Sequence, residues 1–202
     1  MILLYIATED ALSEAVADHL VAKVNHGLQV IVRLRRNGYG YLKKKFPELV
    51  QTARKIPVFL LTDLDRIECP PVLIDSWSGT AALPSGMLFR VAVREIEAWL
   101  LADREGFAAF FGVPLTKLPL HPETIADPKQ LLLNLVRRHS KREIKTAILP
   151  ERGSQAKIGF GYNQMLSRFV EEHWSIERAM VASDSLARTH RRLTELHTRA
   201  PA

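Results

Sequence analysis

The sequence predicts an α/β fold: a mostly parallel sheet of about four strands flanked by helices, followed by a mainly helical C-terminal part. Three observations lead there. Short apolar runs rich in Ile, Leu and Val recur early in the chain, each bounded by acids or turn residues. Segments with apolar residues at three- and four-residue spacing separate those runs. After residue 105 the strand-like runs stop while the helical spacing goes on.

Met1–Thr8 is the first predicted strand, continuously apolar as in a sheet covered on both faces. Asp10–Lys23 carries Leu12, Val16 and Leu20 at helical spacing. Leu28–Leu34 is a second strand, and Tyr41–Ile56 a second helix with a break expected at Pro47. Pro57–Thr62 is a third strand that runs directly into Asp63. The three prolines and two glycines of Cys69–Gly86 predict loop, with one short strand at Val72–Ile74. Leu88–Val93 is a fourth strand and Glu95–Ala102 turns helical. Further on, Gly112 stops a helix that ends at Phe111, and Thr116–Pro128 reads as loop. Asp127-Pro128 has the cap-then-proline order of a helix start. Gln130–Leu149 is a basic helix or helix pair, and Met165–Trp174 and Ser185–His197 are further helices. The expected organisation is therefore an α/β core over residues 1–105 and a helical extension over 106–202 packed on it.

Composition narrows the function. The chain has 202 residues and 47% hydrophobic content, enough for a real core, and no apolar run of the length a bilayer requires. Its N-terminus lacks the basic region and cleavage site of a signal peptide, so a cytoplasmic location and no membrane contact are expected. A single cysteine, Cys69, excludes an internal disulfide and a cysteine-based zinc site. The net charge of +6 favours polyanionic partners, DNA or RNA.

Acids stand where a sheet enzyme needs them. Glu9 follows the first strand, and Asp63 and Asp65 follow the third. Sites in open parallel sheets form beyond the carboxyl ends of strands where strand order reverses, so these acids converge if the first and third strands are neighbours. Alternation in an extended segment would turn Asp63 and Asp65 the same way. An all-oxygen cluster suits a hard cation, Mg²⁺ or Mn²⁺, that keeps waters for a phosphodiester substrate. Glu95 and Glu97, where the fourth strand turns helical, are either further metal ligands or acids favoured by the helix dipole. Asp103 reads as a helix-end acid.

A glutamate after the first strand and Asp-x-Asp after the third resemble the Toprim domain of topoisomerases, primases, small RNA-maturing nucleases and OLD-type nucleases. That resemblance implies Glu9 as metal ligand or general acid/base and Asp63 and Asp65 as metal ligands. The segment Val93–Asp103 (VREIEAWLLAD) and Asp127–Leu132 (DPKQLL) are similar to stretches of uncharacterised Toprim-like bacterial proteins, some encoded beside ABC-type ATPases in anti-phage loci. In those proteins the Glu before Ala-Trp, here Glu97, is the functional acid. The resemblance covers residues 1–135. It departs at Asp10, where the family has Gly, and at Arg66, where the family continues towards Gly.

Basic residues complete the expected site. Arg35, Arg36, Lys43, Lys44 and Arg66 make an early set, and Lys129, Arg137, Arg138 and Lys157 a later one, each able to track a phosphate backbone. Gly38-Tyr39-Gly40-Tyr41 offers either a loop with Tyr39 as a stacking ring or a plain turn, and Gly159–Asn163 offers an anion-binding turn. The expectation is a metal-dependent nuclease with Glu9, Asp63, Asp65 and Glu97 as catalytic and metal-holding acids and Glu95 as a further ligand. The alternative is a non-catalytic module that binds nucleic acid or docks on an ATPase. The sequence leaves the oligomeric state open.

Overall fold

The structure is a computed structural model, and it describes residues 1–24, 27–35, 38–79 and 81–198. The chain forms two compact units, Met1–Val93 with Ala187–Ala202, and Arg94–Leu186. The sequence had placed a single boundary at residue 105. Among the described residues, no helix is long and apolar enough to cross a membrane.

The first unit alternates strand and helix: β1 (Ile2–Thr8), α1 (Ala11–Val24), β2 (Leu28–Arg35), α2 (Gly38–Thr52), β3 (Val58–Asp63), α3 (Pro70–Ser78) and β4 (Met87–Ala92). The strands form a parallel four-stranded sheet in the order β2-β1-β3-β4. The chain steps from β1 to one side and then returns to the other, so strand order reverses between β1 and β3. Right-handed crossovers place α1 on one face and α2 and α3 on the other. The side chains agree. Ala7, Val58, Leu60, Phe89 and Val91 join Leu42, Phe46 and Leu49 of α2 and Leu73 of α3 in one core. The alternate residues Leu4, Ile6, Phe59 and Leu61 are equally buried and point to the opposite face.

Two sequence expectations are corrected here. The segment read as loop with a strand at Val72–Ile74 is the helix α3. Pro70 and Pro71 occupy its first turn, where a missing N–H costs nothing, and Gly79 ends it in the left-handed conformation (φ 61°). Pro47 sits inside α2 without ending it. Both Pro47 and Lys43, whose carbonyl loses its helical donor, are exposed, where solvent can stand in for that donor.

The second unit is helical: α4 (Ile96–Ala102), α5 (Arg104–Phe111), α6 (Pro128–His139), α7 (Arg142–Ile148), α8 (Tyr162–Glu172), α9 (Ile176–Met180) and the start of α10 (Asp184–Thr198). Every residue of α4 is buried. Trp99 donates its indole N–H to Ser185 Oγ (2.7 Å), and Trp174 donates to the Trp99 carbonyl (3.1 Å). Phe107, Phe111 and Phe169 pack ring on ring between α5 and α8. Asp127 caps α6 as expected, accepting from the Gln130 N–H (2.7 Å). Asp103 is a helix-end acid as expected: it caps α5 through Gly106 and also accepts from the Ser175 N–H and from Nε and Nη2 of Arg178.

Candidate active site

The switch in strand order positions the first acidic group. Thr8 of β1 pairs with Leu61 of β3, so Glu9 emerges beside Thr62. One Glu9 oxygen, Oε1, accepts from the Thr62 hydroxyl and from the Asp63 N–H (3.2 Å). Thr62 is itself buried, at 1% exposure. Burial pushes the Glu9 carboxyl above its ordinary value. The Thr62 and Asp63 hydrogen bonds pull it down, and the negative charges of Asp65 and Asp10 push it up again.

Asp63 ends β3 and is half-buried. Asp65 does not continue the strand. It turns into the left-handed region (φ 51°), the one non-glycine residue there among the described residues. Aspartate tolerates this better than most side chains because its short polar arm bonds locally. Leu64 between them is buried in the core and donates its N–H to the Ala92 carbonyl (2.9 Å), which leaves both acids on the outside. A tight turn, not the strand alternation expected from sequence, sets their directions. Asp10, standing where the resembled family has Gly, caps α1 by accepting the Ser13 N–H (2.8 Å). Arg66 is exposed in the same turn as Asp65.

Among the described residues, no three His, Cys, Asp or Glu side chains converge closely enough to enclose an ion. The donor set is nevertheless all oxygen, and one member is a carboxylate buried near two other negative charges. Mg²⁺ is commonly held by only one or two carboxylates plus water, so the set suits an open, hydrated ion and not a closed cage.

The second acidic group lies in the second unit. Glu97 is 1% exposed in the middle of the buried helix α4. Its Oε1 accepts from the Tyr162 hydroxyl (2.7 Å) and lies 3.3 Å from Lys129 Nζ. Its Oε2 is buried with no hydrogen-bond partner. A buried glutamate is rare unless fully paired, and this one is half paired. Glu95 binds the Lys129 backbone N–H (2.9 Å), tying the start of α4 to the start of α6. Burial raises the Glu95 carboxyl; the Lys129 N–H and charge lower it, while Glu97 and Asp127 raise it.

The cations divide into several groups. Lys43 and Lys44 are exposed on α2, and Arg137 and Arg138 on the last turn of α6. Lys157 is exposed in the loop before α8. Lys129, expected at a phosphate, faces Glu97 instead. Arg35 is the last residue of β2, and Arg36 lies outside the described residues. Tyr39 begins α2 with its neighbours and packs edge-on against Trp77, accepting the indole N–H at 3.0 Å, so the reading of a loop with a free stacking ring does not hold. The anion-binding turn at Gly159–Asn163 is also corrected: the Gly159 and Gly161 N–H groups are spent on the carbonyls of Ile148 and Ala147.

Sequence reasoning missed Thr62 and the pairing of Tyr162 with Glu97. It also missed a cluster on β4 and α10. Arg90, bonded to Thr189 Oγ1 at 3.4 Å, is held below the ordinary arginine range by burial and by Arg192, Arg188 and Arg191. The spacing of those three along one helix was the available signal.

Neither a protein family, nor a curated protein, nor a solved structure matches the chain. The site residues and their surroundings therefore carry the functional reading.

Proposed function

We propose that the chain is a divalent-metal-dependent phosphodiesterase acting on DNA or RNA, with Glu9, Asp63 and Asp65 as its metal-holding acids. The observation that carries this is the convergence of the β1 and β3 ends. At the one reversal of strand order in the sheet, Glu9 reaches across to Thr62 and the Asp63 N–H. This is where α/β sheets bind ligands, and the Toprim resemblance places its acids at the same strand ends. A bound Mg²⁺ or Mn²⁺ would supply a nucleophilic water and neutralise charge on the phosphate.

The chain's own residues have separate roles. Asp63 and Asp65 offer outward carboxylates from a turn anchored by Leu64. Glu9, oriented by Thr62, takes the proton of the attacking water as that water's oxygen bonds to phosphorus, and the leaving ester oxygen takes a proton from solvent as its P–O bond breaks. Exposed Arg66, Lys43 and Lys44 supply phosphate contacts. Glu97 keeps one oxygen for a cation or a donor, with Tyr162 and Lys129 fixing the other. Glu95 has a positioning role at the start of α6.

The second reading is a non-catalytic module that docks on an ABC-type ATPase and binds nucleic acid. The absence of three convergent ligands among the described residues favours it. The deciding experiment incubates the protein and an Asp63→Asn/Asp65→Asn variant with mixed DNA and RNA and with Mg²⁺ or Mn²⁺. Cleavage by the wild type alone is expected. Equal cleavage by the variant would refute the assignment, and an inert wild type that gains no thermal stability from metal would favour the docking module.

A further inference from the structure

Phe160 is the most exposed large apolar side chain among the described residues; its ring stands fully in solvent. Its backbone is not loose. The Gly159 N–H binds the Ile148 carbonyl (2.8 Å), the Gly161 N–H binds the Ala147 carbonyl (3.0 Å), and the Tyr162 N–H returns to Gly159 (3.1 Å). The turn is pressed so closely on the end of α7 that a Cβ at Gly159 would stand 2.4 Å from the Ala147 carbonyl oxygen. Glycine on both sides thus pins the turn and leaves residue 160 projecting from a rigid support.

The neighbouring sequence is cationic. From residue 141 to 157 the chain carries Lys141, Arg142, Lys145, Arg152 and Lys157 against two acids. Lys141, Arg142, Glu143, Thr146 and Ala147 line an open depression, and Ala147 is the residue on which the turn is pinned. A protein-binding patch has an apolar centre, and a membrane-inserting tip has several apolar residues together. Here one exposed ring is flanked by glycines, and the segment just before it carries five cations against two acids. That combination of a stacking face and a phosphate track is how single-stranded nucleic acid is held. Duplex bases are already covered on both faces by their neighbours, so a ring of this kind reads only unstacked bases.

We propose that Phe160 is a base-stacking platform for single-stranded nucleic acid, with the cations of residues 141–157 along the phosphates. This rests on the reading of the chain as a nucleic-acid enzyme and specifies the form of the strand it holds. The test measures binding of fluorescein-labelled oligothymidylate, and of a duplex of equal length, in EDTA so that hydrolysis plays no part. Phe160→Ala should weaken the single strand by about 5- to 150-fold, the range for one stacked base, while leaving duplex affinity and salt dependence unchanged. Phe160→Trp should keep the affinity, and its added emission should be quenched by the oligonucleotide. Circular dichroism checks that both variants keep the fold.

Unchanged affinity in Phe160→Ala, an equal loss for both strand forms, or no binding by the wild type would each overturn the proposal. So would an emission shift of Phe160→Trp on anionic phosphatidylglycerol vesicles without quenching by the oligonucleotide. Phe160-dependent binding without metal-dependent cleavage would refute the hydrolase and leave this platform standing. Cleavage with no Phe160 dependence would do the reverse.

Discussion

Replacing Glu97 by glutamine separates a functional acid from a structural one. In the present arrangement Glu97 offers Oε1 to Tyr162 and to Lys129, and its Oε2 is buried and unpartnered. Glutamine keeps an oxygen for Tyr162. It removes the charge facing Lys129, but that lysine side chain is 35% exposed and can turn to water. A pair open to solvent on one side contributes about 0–1 kcal/mol. Against this stands the cost of holding a desolvated carboxylate, several kcal/mol before compensation. The expected outcome for Glu97→Gln is therefore unchanged stability or an increase of about 1 kcal/mol. A carboxylate serving as a structural anchor would instead lose about 3–5 kcal/mol on the same change. Urea unfolding followed by tryptophan emission reads this in the right unit, since Trp99 and Trp174 are both buried there. A loss of more than about 3 kcal/mol would refute the reasoning and make Glu97 a packing element.

Two further changes test the frame that holds the second acidic group. Asp103 is wholly buried and accepts from Gly106, Ser175 and Arg178, so Asp103→Ala should cost about 3 kcal/mol, towards the low end for a broken buried pair because Arg178 is partly exposed. A urea midpoint shift worth less than about 1 kcal/mol would contradict that. Gly159→Ala places a Cβ against two backbone carbonyls, Ala147 at 2.4 Å and Leu149 at 2.6 Å, and neither can rotate away. It should destabilise the protein by about 1–3 kcal/mol, and a neutral result in thermal unfolding would mean that the turn is not pinned.

Much of the fold was legible because strand and helix periods differ so clearly in the first unit. The acid–strand junctions at Glu9 and Asp63 were legible for the same reason. Once β1 and β3 were neighbours, their meeting followed. The direction of Asp65 was not, because it depends on a left-handed turn around a buried Leu64 that no periodicity announces. The helix α3 was hidden by prolines that break helices everywhere except in the first turn, where Pro70 and Pro71 sit. Tyr162 was out of reach for another reason: its partner Glu97 is 65 residues away in sequence, and only packing brings them together. The glycines around Phe160 carried a real signal of close backbone approach, but sequence alone could not tell an anion from a carbonyl as the group approached.

A metal held at the β1–β3 junction is read most directly by a Mn²⁺ titration followed by electron paramagnetic resonance. The wild type should take up the ion from its free signal, and Asp63→Asn/Asp65→Asn should lose that uptake while keeping its circular dichroism spectrum. Equal uptake by the two proteins, or none by either, would rule out a metal held by Asp63 and Asp65.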